Sequence, residues 1–394
     1  MGFASGSVSF RRFNVVGKSP KKIDQELLDK LAADALRPSD VGLPEEVEYG
    51  WSGGRHVFDG EFSFEHNVYS EALHFALRID TNKVPGELKK AWQLMEEEAV
   101  AKENPSGFIS KNQKKDVKDS VRRKIEDDMR SGKFRRSKLL PILWDVQEQT
   151  VYCSATGASF EKLAEIFQRS FGLDLQPVTS GSLAVQLLEP DARKRDYEDL
   201  RPTRFVMGPE GEGQRPEYPW VAKGAEPKDF LGNEFLLWLW HEADAKTATV
   251  KTENSGEITL FLDKSLDLDC AYGQTGRDTL RGDGPSRMPE ARDALRSGKL
   301  PRKTGLVLDI GRQQFSLNLS GESLAVGAAK LPDVEEAESP RVLFEERIGI
   351  LRDFVKGLDA LYTTFLKLRT SSSWDSQKST IRKWIMQPAK AAAA

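Results

Sequence analysis

The hydrophobic positions of this chain change period as they run from one end to the other. Val8 and Phe10, then Phe13 and Val15, predict an opening strand with a bulge, ending at Gly17. Ser19-Pro20 follows in the manner of an N-cap and first helical residue, and Ile23, Leu27, Leu28, Leu31 and Ala35 then recur at helical spacing. A Gly-rich stretch from Gly50 to Gly60 leads to a second strand at Ala72–Asp80. There Leu73, Phe75, Leu77 and Ile79 alternate with Ala72, His74, Ala76 and Arg78, giving one apolar and one mixed face. Pro85-Gly86 opens a helix through about Ala101 with Leu88, Trp92 and Met95 on one side, and Asn104-Pro105-Ser106-Gly107 breaks it. The next helix, roughly Asn112 to Arg130, has only Val117, Val121, Ile125 and Met129 as an apolar seam. So narrow a seam suits a projecting hairpin rather than a core helix.

Ile142–Asp145 and Thr150–Cys153 predict a β-hairpin, and Phe160–Phe171 a helix with Leu163, Ile166 and Phe167 inward. Residues 206–229 are rich in Gly, Pro and Glu and suit a loop, while Phe235–Trp240 suits the start of a buried helix. Ile258–Leu262, Leu306–Ile310 and Phe315–Leu319 suit strands. Ser339-Pro340 caps a long helix to about Arg369, and the tail from Thr370 to Ala394 is expected to be weakly ordered. The expected class is therefore α+β: a mixed-sheet central body of residues 1–83, 134–184 and 301–370, and a helical hairpin at 84–133. A second α+β subdomain at 185–300 carries the inserted loop 206–229, and the tail is 371–394.

At 394 residues the chain is long enough for two or three subdomains. No apolar run reaches the ~18 residues that a membrane span needs, and the first residues do not read as a secretory signal, so a cytoplasmic location without membrane attachment is expected. Cys153 and Cys270 are too few for a disulfide framework and are read as reduced, buried thiols. The formal charge of −3 hides an uneven distribution. Residues 41–71 hold seven acids against Arg55, residues 111–138 hold twelve Lys/Arg against five acids, and residues 277–303 hold eight against four. Focused basic segments on a mildly acidic chain suit one polyanion held in one place.

On a helix that includes Lys111, the residues Lys111, Lys115, Lys118 and Arg122 fall within about a 60° arc and form one cationic stripe. The alternative is a solvated face with internal pairs such as Lys115–Asp119 and Arg122–Glu126. The following segment places Arg130, Lys133, Arg135, Arg136 and Lys138 around Phe134 without an acid. Its arginines suit phosphates and its ring suits a base or sugar, although Phe134 could instead anchor the hairpin to the body. Arg277 and Arg281, with Arg287, Arg292, Arg296 and Lys299, make a second candidate surface. Arg193-Lys194-Arg195 is read as a solvated turn. Neither a helix-turn-helix signature nor zinc-finger spacing is present, so contact without base readout is expected.

The segment Phe134-Arg-Arg-Ser-Lys-Leu-Leu-Pro-Ile-Leu-Trp-Asp145, the Tyr152-Cys153 strand, the helix after it and Phe171-Gly-Leu-Asp-Leu-Gln-Pro-Val178 resemble the recombination-associated RdgC family in order and spacing. Gly298-Lys299, Gly305-Leu-Val-Leu-Asp309 and the closing helix extend the resemblance over most of the chain, diffusely and without a sharp motif. It implies a ring-forming homodimer with the hairpin as tip and the middle subdomain as base, passing double-stranded DNA through a basic hole. It also implies limited access for the RecA recombinase and association with the nucleoid, in recombination or replication. Phe134 matches a family phenylalanine beside DNA-contacting basic residues. Asp278 after Arg277 departs from the family's Gln, and the enlarged middle at about 205–250 and the tail have no assigned counterpart.

Enzyme chemistry finds less support in the residues. Gly17-Lys18-Ser19 mimics the end of a phosphate-binding loop, but Arg12 stands where that loop needs Gly. Asp263, Asp267 and Asp269 could serve a metal-dependent exonuclease, a label also attached to the family, yet their alternation with leucines fits a strand with a polar face. Glu87-x-Lys89 and Glu226-x-Lys228 are too short to be specific, and His56, His66, His74 and His241 show no ligand spacing. No catalytic residue, metal ligand or cofactor is expected. A protein-interaction module using Trp220, Trp238 and Trp240 is the remaining alternative.

Overall fold

The computed structural model describes residues 2–37, 45–190, 193–208, 211, 213–221, 228–274, 276–334 and 337–387. The first half of the chain supplies β1 (Val8–Val16), α1 (Gln25–Ala33), β2 (Val47–Ser52), α2 (Phe64–Asn67), β3 (Val68–Tyr69), β4 (Ala72–Asn82), α3 (Gly86–Glu103) and α4 (Lys111–Arg130). Then come β5 (Arg135–Asp145), β6 (Thr150–Cys153), α5 (Ala158–Phe171), β7 (Asp174–Pro177), α6 (Ser180–Leu188) and α7 (Lys194–Asp199). The second half supplies α8 (Phe230–Ala245), β8 (Thr249–Thr252), β9 (Gly256–Cys270), β10 (Asp278–Gly282), a 3-10 turn at Pro285–Arg287, α9 (Pro289–Arg296), β11 (Lys299–Ile310), β12 (Gln313–Ser320), β13 (Val326–Lys330), α10 (Pro340–Arg369) and α11 (Trp374–Met386). The α+β class is thereby shown.

The strands form one antiparallel path in the order β10-β9-β11-β12-β13-β1-β6-β5-β4-β2, with β3 added to β4, β7 to β1 and β8 to β9. Strand β1 joins its two halves. Val8 and Phe10 pair with β13, while Arg11 to Asn14 pair with β6 and Phe13 to Val16 with β7. The pairing of β1 with β13 does shift register between Val8 and Phe10, as a bulge would, but the switch from even to odd apolar positions has a second cause. Even residues Val8 and Phe10 face one hydrophobic core, odd residues Phe13 and Val15 face the other, and a strand with both faces buried has apolar residues on both. Strand β4 behaves likewise: Ala72 to Asp80 are all buried, and the mixed face carries His74, edge-on to Phe344 at 5.0 Å, and Arg78, paired bidentately with Asp80.

Two expected boundaries move. Helix α1 begins at Gln25 because the Asp24 carboxylate accepts the Leu27 N–H at 3.0 Å, so Ser19-Pro20 is not its cap. The tail is not weakly ordered over its described part: α11 buries Trp374, Ile381, Trp384 and Ile385 in the larger core. By contrast Ser339 caps α10 as expected, accepting the Val342 N–H, and the helix ends at Arg369. Strand β11 runs through residues 300 and 301 and pairs with β9 along its length, so the segments on either side of that expected boundary share one sheet. The loop expected at 206–229 falls partly outside the described residues; within them Tyr218 is buried and its N–H donates to Ala271 O.

Helices α3 and α4 lie apart from this scheme. Val117, Val121 and Met129 are buried between them yet belong to neither core, and α3 buries no residue at all. The apolar side expected from Leu88, Trp92 and Met95 is split. Trp92 turns inward under the Lys124 ammonium, 4.7 Å from its ring, while Leu88 and Met95 are exposed.

Candidate nucleic-acid interface

The start of α4 decides whether its lysines share a face. Ser110 and Gln113 form a reciprocal capping box: the Gln113 N–H donates to Ser110 Oγ at 3.3 Å, and the Ser110 N–H donates to Gln113 Oε1 at 2.9 Å. The helix consequently includes Lys111, and Lys111, Lys115, Lys118 and Arg122 share one side and are all exposed. Their Cα atoms span about 17 Å along the axis. Only Arg122 is engaged, with Glu126 at 3.0 Å. The alternative Lys115–Asp119 pair does not form, and among the described residues Lys111, Lys115 and Lys118 have no acidic partner.

Gly132, at φ +69°, ends the hairpin in the left-handed region where a side chain would be strained, and the Arg135 N–H closes the turn on Gly132 O. At this base the residues divide. Arg130 lies 3.8 Å from Asp127 in a solvent-exposed pair, and Lys133 lies 3.6 Å from the half-buried Asp128. Phe134 is half-buried, with the Lys133 ammonium 5.5 Å from its ring centroid. Strand alternation then sends Arg135 to one sheet face and Arg136 with Lys138 to the other. The register fixes which: Arg136 stands opposite Thr81 and Lys138 opposite Ile79, while Arg135 stands opposite Asn82. Arg135 pairs with Glu48 at 3.0 Å, beside Asp80. Arg136 and Lys138 are exposed and have no acidic partner among the described residues.

The second basic segment does not assemble. Arg277 pairs with Asp267 at 2.7 Å and Lys299 with Asp278 at 2.6 Å. Arg292 is buried, with its guanidinium 3.8 Å from the Trp384 ring centroid, paired with Asp244 and donating to Trp384 O. Arg296 donates to Ile385 O and Gln387 O. Two arginines of α9 thus donate to carbonyls at the C-terminal end of α11, where Trp384 O also accepts the Gln387 N–H. Arg281 remains exposed on β10.

Other chemistry-bearing residues are accounted for by the fold. No helix follows Gly17-Lys18-Ser19 before Gln25. Asp267 and Asp269 are held by Arg277 and Arg302, and among the described residues no three His, Cys, Asp or Glu side chains converge on a metal-sized site. Burial pushes the Cys153 thiol up to about 12. Trp238 and Trp240 lie in the core and Trp220 packs against it under Arg302, 5.0 Å from its ring. No helix among the described residues is long and apolar enough to cross a membrane.

The sequence pattern missed one cluster. A cavity of about 600 Å³ is lined by Arg55, Glu61, Phe64, Glu65, His66 and Arg341. His66 Nε2 lies 2.8 Å from Asp59 Oδ2, and its Nδ1 lies 3.5 Å from Glu61 Oε2. Burial opposes ionisation of Asp59, yet the N–H groups of Arg55 and Glu61 together with His66 hold its carboxyl below the usual range. His66 thus lies between two carboxylates, of which only Asp59 is within close hydrogen-bond distance. Burial, then the nearby His66, lower His74 to about 4. The close approach of Gly53 to Asp59 was the available signal, and it is a three-dimensional one.

No family model matches the chain, and no curated protein matches it.

Proposed function

We propose that the chain binds double-stranded DNA without sequence preference through the outer face of the α3–α4 hairpin and its base. The observation that carries this is the row Lys111, Lys115 and Lys118, exposed and without acidic partners among the described residues, on a helix pair that contributes to neither core. A line of such lysines about 10 Å long, extended to about 17 Å by Arg122, fits a phosphate backbone. Arg136 and Lys138 continue the positive surface where α4 meets the sheet; Arg122 and Arg130 can exchange their surface pairs for phosphates, whereas Lys133 holds the half-buried Asp128 and Arg135 is committed to Glu48. The resemblance to the RdgC family adds to this reading a homodimer closed around the duplex, acting in recombination and limiting RecA.

The test is a titration of labelled duplexes of unrelated sequence over a range of salt. Affinity should be indifferent to sequence and fall with salt, at a log–log slope of roughly −0.9 for each phosphate neutralised. Replacing Lys115 and Lys118 with Ala should make that slope shallower by about two with the fold intact. An unchanged slope removes the hairpin from the interface; shortened DNA in the presence of magnesium would favour an exonuclease.

A further inference from the structure

The end of the hairpin carries a feature the charge pattern does not explain. Phe108 is 81% exposed, more than the other exposed large apolar side chains described, and it has no ring or cation partner among the described residues. Phe58 is nearly as exposed but lies against the Arg78 guanidinium at 5.6 Å. The loop that carries Phe108 is held. Asn104 donates to Phe108 O at 2.7 Å, Asn104 and Gln113 exchange amide hydrogen bonds at 3.1 and 2.9 Å, and the Gly107 N–H donates to Asn104 O at 3.0 Å. Gln113 belongs to the capping box of α4, so the geometry of the tip is fixed to the helix that bears the lysines.

We infer that Phe108 is a stacking site for unpaired nucleobases, which makes the protein prefer DNA with locally opened or distorted strands over perfect duplex. This rests on the DNA-binding reading above and adds a substrate class to it. Lys111 follows Phe108 by three residues, within about 10 Å along the chain, so a backbone seated on Lys111, Lys115 and Lys118 brings its bases to the ring. A closed duplex offers no base face from the side, whereas a bubble, junction or frayed end does, and aromatic stacking tolerates any base. A single ring beyond a line of lysines also fits a base better than a lipid surface, which is held by a broad apolar face.

The experiment compares a fully paired duplex with one of equal length carrying a central bubble of about four unpaired bases, one replaced by 2-aminopurine. The wild-type protein should bind the bubble about tenfold more tightly and quench the 2-aminopurine on binding. Phe108→Ala should lose both the preference and the quench while binding paired duplex within about twofold of wild type; Phe108→Trp should keep both. Wild-type binding of paired duplex without bubble preference, or a preference that survives Phe108→Ala, overturns the inference and leaves the DNA reading standing. Failure to bind either DNA overturns both. Phosphatidylserine vesicles form the last arm: binding to them that is lost in Phe108→Ala, with DNA binding untouched, overturns the inference in favour of a lipid surface.

Discussion

Two adjacent arginines separate at the scale of the residue. Arg135 is half-buried and holds Glu48 next to Asp80, which keeps its own pair with Arg78, so Arg135→Ala leaves the partly desolvated Glu48 carboxylate without its partner and should cost about 1–2 kcal/mol of stability with little change in the salt dependence of binding. Arg136→Ala should do the opposite: stability unchanged, and the log–log salt slope shallower by about one. Denaturant unfolding and salt titration of the two variants check both halves. Composition placed them together as one basic cluster; what divides them is an acid 87 residues away, which no count of charges along the chain contains. His74 supplies a pH test. Its ordinary value is about 6.5 and burial lowers it to about 4, so the unfolded chain takes up a proton that the fold refuses. Its neutral form supports the fold fully above about pH 6.5, and the support is lost as pH falls towards 4, by about 3 kcal/mol in all. Urea unfolding at successive pH values should show this loss, and His74→Gln should flatten it; an equally steep loss in the variant would assign it to another group.

At the scale of the element, legibility follows how local the deciding interaction is. Helix α10 was readable at both ends because its Ser339 cap and its apolar period lie within its own residues. Helix α11 was missed because Trp374, Ile381, Trp384 and Ile385 are sparse among charged and polar neighbours, and they become an apolar face only once Arg292 and Trp240 supply the groove. The lysine stripe of α4 was legible from spacing alone, whereas the fate of Arg277, Arg292 and Arg296 depended on partners in β9, α8 and α11. The α3–α4 hairpin gives the sharpest element-level prediction. It lends no residue to either core, and the strands it joins are already paired at Asn82 and Arg135. Replacing residues 83–134 with a short turn should therefore close β4 and β5 directly. The shortened chain should melt within a few degrees of the full chain while losing most of its affinity for duplex DNA. A melting transition lowered by more than about 10 °C would show that the hairpin supports the body after all.

Across the whole molecule, the charge balance limits what one copy can do. Lys111, Lys115, Lys118, Arg136 and Lys138 are the candidate contacts on the hairpin and its base without acidic partners among the described residues, and five phosphates correspond to a log–log salt slope of roughly −4.5. A duplex presents phosphates all round its axis, and a stripe about 17 Å long meets only about half a turn on one side. Two copies on one duplex would double the slope to roughly −9 and enclose the axis from opposite sides. Enclosure changes release more than it changes affinity: contacts that are individually weak let the protein slide, but it leaves only where the duplex ends. Dissociation measured in high-salt competition should then be fast from linear DNA and at least tenfold slower from a relaxed circle of the same length and sequence, with the difference abolished by cutting the circle after binding. A slope near −4.5 with equal release from line and circle would identify an open, one-sided grip instead, in which the hairpin alone supplies the affinity.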